Sequence, residues 1–225
     1  MKDLLLLHGA LGTSTLFDPL VKALDKRFNV HRFNFSGHGD QPMNDAGFGI
    51  EFFAQELAQY MADHGLKQVP VFGYSMGGYV ALYLESAKPG IFSQIVTLGT
   101  KFDWNPVAAL HETSRMVPEA IEAKVPKFAA VLGARHKDWK GLMKATADMM
   151  IGLGNQPLLN EQTLAEIGTS TTIMWGEQDN MVSKEESELS AQSLANGGFK
   201  VLPNCPHPIE KVDATTLSEV LITLF

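Results

Sequence analysis

The stretch Val69-Pro70-Val71-Phe72-Gly73-Tyr74-Ser75-Met76-Gly77-Gly78-Tyr79-Val80-Ala81-Leu82 decides the fold. Val69 to Gly73 is a short apolar run and predicts a strand buried on both faces. Met76 to Ala87 carries a helical pattern. Between them lies G-x-S-x-G, a sharp strand-to-helix turn in which the serine takes strained backbone geometry. Side chains two residues to either side would collide there, which accounts for Gly73 and Gly77. Gly78 lets the helix pack close to the sheet. The turn lifts the Ser75 hydroxyl above the sheet edge and places the Met76 N–H at a helix N-terminus, where negative charge is stabilised.

Working outward, the same alternation continues on both sides. Upstream, Asp3 to His8 predicts a buried strand and Gly9 to Gly12 a Gly-rich turn. Thr15 to Arg27 predicts a helix, Val30 to Phe35 a strand, Ser36 to Asp45 a polar loop and Ile50 to His64 a helix. Downstream, Ile91 to Leu98 contains the next strand. The alternation then stops, and Trp104 to about Asn155 shows helical patterns with no convincing strand. Strands resume at Thr171 to Trp175 and Phe199 to Leu202, with helices at Lys184 to Ala195 and Ile209 to Phe225. Repeated strand–helix units of this length imply right-handed crossovers and a parallel sheet covered on both faces. The expected division is a core of residues 1–102 and 156–225, interrupted by a helical insertion over 103–155.

The 225 residues, 45% of them hydrophobic, suffice for one sizeable core. A formal net charge of −7 with scattered Lys and Arg leaves no basic face for nucleic acid. No run approaches the ~18 apolar residues of a membrane helix. The start Met1-Lys2-Asp3 followed by four leucines lacks the length and cleavage site of a secretory signal. Cys205 is the single cysteine, so no internal disulfide forms; it reads as a small buried residue, and a cytoplasmic location is expected. No His/Cys/Asp cluster has metal-ligand spacing, and Gly37-x-Gly39 lacks the third glycine of a dinucleotide loop. No cofactor or metal is expected, only a small-molecule substrate. The sequence is silent on oligomeric state.

A serine on such a turn is a weak nucleophile until an imidazole takes its proton and a carboxylate orients that imidazole. On strand–turn–helix scaffolds of this kind the acid and then the histidine follow the serine. His111, His136 and His207 follow Ser75. The first two fall in the helical insertion and are expected at the surface. His207 lies in Asn204-Cys205-Pro206-His207-Pro208, between the last strand and the last helix, and is the candidate base. Asp179, three residues past Gly176 at the end of the preceding strand, is the candidate acid, with Glu177 and Asp103 as rivals. The developing oxyanion needs two N–H donors. Met76 supplies one and Ala10, after His8-Gly9, the other, with Leu11 as the fallback. His8 itself reads as a structural hydrogen-bonding residue.

Together these residues resemble the α/β-hydrolase superfamily over nearly the whole chain. His8-Gly9 is similar to its His-Gly oxyanion motif. Ser36-Gly37-His38-Gly39-Asp40-Gln41-Pro42 is similar to its second-strand loop, with Gln41 where serine is usual and Phe35 where Asp is common. Gly73 to Gly78 resembles its nucleophile elbow, Gly176 to Asp179 its acid turn, and His207 with Glu210 the start of its last helix, with Pro206 where glycine is frequent. The family's first two strands have no counterpart, so the resemblance implies a mostly parallel sheet of about six strands flanked by helices. It also implies that the insertion is a helical cap roofing the site. Its Trp104, Met116, Phe128, Trp139, Met143, Met149 and Met150 offer an adaptable apolar pocket, and Trp104, Phe128, Trp139 and Met143, together with Leu11, are the candidate lining.

The implied function is a serine hydrolase of small to medium apolar carboxylic esters acting through an acyl-enzyme. Two other readings stand beside it. Leu7 to Gly12 and Gly73 to Gly78 also resemble the menaquinone-pathway lyase that eliminates pyruvate, or a carbon–carbon bond hydrolase. That lyase binds carboxylates with arginines, one just after the elbow glycines, where Tyr79 stands here; Arg115 and Arg135 are the remaining candidate cations. Some members of the fold are non-catalytic ligand receptors that keep the triad. Dehalogenation, which uses an Asp nucleophile, does not fit Ser75, and perhydrolases often carry an aromatic residue where Ala10 stands.

Overall fold

A computed structural model describes residues 1–24 and 26–225. Six strands, β1 (Lys2–Leu7), β2 (Phe28–Arg32), β3 (Val69–Tyr74), β4 (Phe92–Leu98), β5 (Thr171–Gln178) and β6 (Gly197–Pro206), pair in parallel in the order β2-β1-β3-β4-β5-β6. Successive strand residues face opposite ways, so each strand feeds two cores. On one face Leu5, Leu7, Val71, Ile95 and Ile173 pack against helices α2 (Ile50–Asp63), α3 (Met76–Ala87) and α9 (Lys184–Ser193). On the other, Leu4, Leu6, Phe72, Val96 and Met174 pack against α1 (Asp18–Leu24) and α10 (Ala214–Leu224). Burying both faces explains why the strand sequences read as unbroken apolar runs. Each fully buried leucine of β1 contributes about 2 kcal/mol of transfer free energy.

Between β4 and β5 the chain forms α4 (Pro106–Thr113), α5 (Pro118–Lys124), α6 (Pro126–Arg135), α7 (Trp139–Asn155) and the short α8 (Glu161–Ala165). The first three each open on a proline, tolerated there because the missing N–H has no partner in a first turn. Ile121, Leu132 and Met143 form a small core of their own among these helices, with Trp139 and Leu11 packed against it.

Several elements differ from the sequence expectations. The last strand runs on past Leu202 to Pro206, so Asn204, Cys205 and Pro206 belong to β6 and not to the loop before the last helix. The second strand sits at 28–32 rather than 30–35, because Phe35 turns its N–H onto His8 Nε2 (3.2 Å) instead of a sheet ladder. The first helix is preceded by a 3-10 turn at Ser14–Phe17. The last helix is broken into a 3-10 turn at Ile209–Lys211 and α10, which starts where Asp213 accepts the Thr216 N–H at 2.7 Å. Among the described residues no helix is long and apolar enough to cross a membrane.

Candidate active site

Ser75 joins β3 to α3 with φ 52° and ψ −119°, a conformation an L-residue adopts only under constraint. Its N–H donates to the Leu98 carbonyl at the end of β4 (2.9 Å), and its carbonyl accepts from Thr100 Oγ1 and from the Gly78 N–H (both 3.0 Å). The flanking glycines are a matter of space. A Cβ on Gly77 would lie 2.3 Å from the Leu7 carbonyl oxygen, and one on Gly73 would lie 2.5 Å from the backbone of Gly78.

The turn after β1 faces this elbow. A Cβ on Gly9 would meet Ser75 Cβ at 3.1 Å, so the two turns are in van der Waals contact. Leu11 also has a positive φ, 55°, and Gly12 N–H donates to Gly9 O at 3.1 Å, closing the turn. The backbone N–H groups of Ala10 and Met76 make no hydrogen bond among the described residues. Those donors are therefore free for an anionic oxygen.

His207 Nδ1 donates to Asp179 Oδ2 at 2.8 Å, and both side chains are buried. Asp179 Oδ1 accepts from the Met181 and Val182 N–H groups at 2.8 and 3.0 Å. Burial pushes the Asp179 carboxyl up, but the hydrogen bond and charge of His207 and the two N–H donors outweigh it and hold the group below the usual value. An ionised Asp179 keeps the Nδ1–H tautomer, which leaves Nε2 as the basic nitrogen. The pair packs against Gly99 at the end of β4, where a Cβ would lie 3.1 Å from Asp179 Oδ2. Tyr74, beside Ser75, donates its hydroxyl to the His207 carbonyl at 2.7 Å. Burial raises the Tyr74 phenol further, so it stays a donor. Of the rival acids, Asp103 is exposed and accepts from Asn105 Nδ2 (3.0 Å), and Glu177 accepts the Asn204 N–H (3.0 Å).

His136 is a correction. Expected at the surface, it is 2% exposed. Its Nε2 donates to the Leu11 carbonyl at 2.8 Å and its Nδ1 accepts the Gly39 N–H at 2.8 Å. Arg135 adds Nη1 to the same Leu11 carbonyl (3.1 Å) and Nη2 to Glu210 Oε1 (2.8 Å), and the Lys137 N–H donates to Gly39 O (3.0 Å). Three consecutive residues at the α6–α7 junction thus clasp the turn after β1, the loop after β2 and the segment after His207. His111, by contrast, is exposed. His8, His38 and His136 form a buried row with ring centroids 4.9 and 5.9 Å apart. Burial lowers all three, His8 to about 4. His8 donates Nδ1–H to Gly9 O (2.9 Å), which braces the turn from behind.

A cavity of about 40 Å³ opens beside the serine, lined by Ser75, Ala10, Met76, Ile50, Tyr79, Lys101, Trp104, Met149, Met150 and Leu153. Of the five expected lining residues only Trp104 belongs to it. Met143 and Trp139 lie one and more helical turns earlier on α7 and face the insertion's small core, Leu11 packs on that core, and Phe128 is 45% exposed. Met149 and Met150, which the sequence places among the apolar residues of the insertion, line the cavity together with Leu153, which carries no such signal; their i, i+1, i+4 spacing marks one face of a helix, but nothing in it says that the face looks at Ser75. Cys205 is buried, and burial pushes its thiol up to about 11, which makes it an inert thiol.

Comparison with known proteins bears on the fold that carries this arrangement. The family described as "alpha/beta hydrolase fold" matches residues 3–146. The chain is similar to the pimeloyl-(acyl-carrier protein) methyl ester esterase of Aeromonas hydrophila subsp. hydrophila, at 24% identity over 91% of this chain and 88% of that protein. It is also similar to the serine hydrolase BPHL of Mus musculus, at 25% identity over 91% of this chain and 72% of that protein. Among solved structures, a thermophilic esterase from Thermogutta terrifontis superposes with a TM-score of 0.79 at 21% identity, covering 100% of this chain and 89% of the other. With a parallel six-stranded sheet, a strained serine turn at the end of its third strand and a family match over more than half its length, the chain belongs to the α/β hydrolase fold family.

Proposed function

We propose that the protein is a serine hydrolase of carboxylic esters with Ser75, His207 and Asp179 as its triad, and Ala10 and Met76 as its oxyanion donors. One observation carries this reading: Ser75 and the two residues whose N–H groups are free, Ala10 and Met76, line a single mostly apolar cavity. Ser75 Oγ attacks the ester carbonyl while His207 Nε2 takes its proton, and Asp179 stabilises the imidazolium. The Ala10 and Met76 N–H groups hold the tetrahedral oxyanion. His207 then protonates the leaving alcohol, and water, deprotonated by the same nitrogen, resolves the acyl-enzyme. No Ser75–His207 hydrogen bond is formed among the described residues, a distance that commonly tightens only with substrate bound.

Residues 103–155 act as the cap, with α7 as the roof. The space under it fits a short acyl group. Ile50, Met149 and Leu153 also wall an open groove of about 560 Å³ that runs past Phe48 and Leu158. Of these three shared walls Met149 is the most adaptable side chain, and its movement would give a longer chain a way into that groove. The lyase reading has less support. Tyr79, in the place of that enzyme's arginine, accepts the Leu159 N–H (2.9 Å), and Arg135 is held by Leu11 and Glu210.

The test is p-nitrophenol release from acetate, butyrate, octanoate and palmitate esters by wild type and Ser75→Ala. Turnover should peak at the short esters and fall at least about a thousandfold in the variant. Release that is equal in the two proteins defeats the reading and leaves the ligand-receptor alternative.

A further inference from the structure

Among the described residues, Lys101 is the only charged one lining the cavity beside Ser75. It sits three residues past the end of β4, and its side chain is only 17% exposed. Its Nζ lies 5.8 Å from the ring centroid of Trp104, another wall residue, and 3.8 Å from Glu186 Oε2. That carboxylate is already well supplied. Oε1 accepts from the N–H groups of Phe102 (3.0 Å) and Asp103 (3.5 Å), and Oε2 from Ser183 N–H and Oγ (both 3.2 Å). Glu186 therefore anchors the ammonium at long range without satisfying it, and Lys101 Nζ donates no hydrogen bond among the described residues. An ammonium so sheltered, with three donors unused, attracts an acceptor strongly. An apolar ester leaves those donors unmet; a carboxylate meets them.

We propose that Lys101 is a specificity-determining residue that binds a carboxylate carried by the ester substrate a few bonds from the scissile carbonyl. The natural substrate class is then a half-ester of a short dicarboxylic acid or a close relative. This rests on the ester-hydrolase reading above and narrows it from apolar to singly anionic acyl groups.

The experiment follows methanol release from the monomethyl esters of succinate and glutarate. The neutral counterparts are methyl 4-methylpentanoate and methyl 5-methylhexanoate, in which an isopropyl group stands for the carboxylate. Wild type, Ser75→Ala, Lys101→Met and Lys101→Arg are compared, with calorimetric binding of monomethyl glutarate measured on Ser75→Ala with and without each Lys101 substitution. The ratio of kcat/KM for charged over neutral ester should fall about tenfold or more in Lys101→Met, through KM, and recover in Lys101→Arg. Using a ratio cancels any general loss from the substitution. A ratio and an affinity unchanged in Lys101→Met overturn the proposal. Lys101-dependent binding without Ser75-dependent turnover of any of the four esters upholds the anion site and overturns the esterase reading instead.

Discussion

Replacing His136 by alanine tests whether the clasp at the α6–α7 junction sets the geometry of the turn after β1. The substitution removes two hydrogen bonds, the one accepted from Gly39 N–H and the one donated to Leu11 O, both 2.8 Å. Each is worth about 1 kcal/mol net. The Leu11 carbonyl keeps Arg135 as a donor, but the buried Gly39 N–H is left without its partner, which adds roughly 1 kcal/mol more. Losing a buried imidazole that packs on His38 contributes a cavity cost of similar size. The expected destabilisation is about 4 kcal/mol, read as a lower urea midpoint. Activity should fall as well, because Leu11 holds its positive φ next to the proposed Ala10 donor. Removing such a donor outright costs on the order of a hundredfold, so loosening it should lower kcat about tenfold with little change in KM. His136→Asn keeps an acceptor near the Nδ1 position but cannot reach Leu11, and should recover part of the stability and little of kcat. A His136→Ala protein within about 0.5 kcal/mol of wild type and with full kcat would refute the reasoning.

Stability should also fall in mild acid. His8 titrates near 4 in the folded protein against about 6.5 unfolded, so below pH 6.5 the unfolded chain binds a proton that the native state refuses. That term is absent at neutral pH and grows to about 3 kcal/mol by pH 4, with His38 and His136 adding in the same direction. Urea unfolding at pH 7, 6 and 5 checks it, and a flat profile contradicts it. Tyr74→Phe removes the hydroxyl held on the His207 carbonyl and should cost about 1 kcal/mol and a few-fold in kcat, measured by urea unfolding and ester kinetics. Gly77→Ala drives a methyl against the Leu7 and His8 carbonyl oxygens, backbone that cannot move aside, and should lower stability by more than about 3 kcal/mol; a wild-type Tm would show that β1 has slack.

What was legible in the sequence was local. The Ser75 turn could be read because the strand, the spaced glycines and the helix all fall within one window of fifteen or so residues, and the sheet followed from apolar runs buried on both faces. The resemblance of the spaced motifs carried the family. What escaped was set by contacts between segments far apart in the chain. His136 looked like a polar residue at a helix end, and only the fold brings the Gly39 N–H and Leu11 carbonyl to its two nitrogens. The pocket lining escaped for a related reason. Trp139 and Met143 and the pair Met149 and Met150 share one amphipathic helix, and periodicity gives the faces of that helix without saying which end of it overlies the serine. Lys101 carries no local signal, because its meaning lies in the crowding of Glu186, supplied by the first turn of a helix more than eighty residues later.

The Arg135–Lys137 clasp has a consequence for protein engineering. Exchanging the proposed cap for that of a relative is an obvious way to change what the enzyme accepts, and the chain boundaries near 103 and 155 suggest where to cut. Yet the α6–α7 junction is bonded to Leu11, Gly39 and Glu210 of the main body. In a graft these three residues belong with the recipient's scaffold, as a rivet retained while the panels around it are replaced. Chimeras that keep Arg135, His136 and Lys137 and vary α4, α5 and the Met149 face of α7 are the ones in which selectivity can change while the serine turn stays in register.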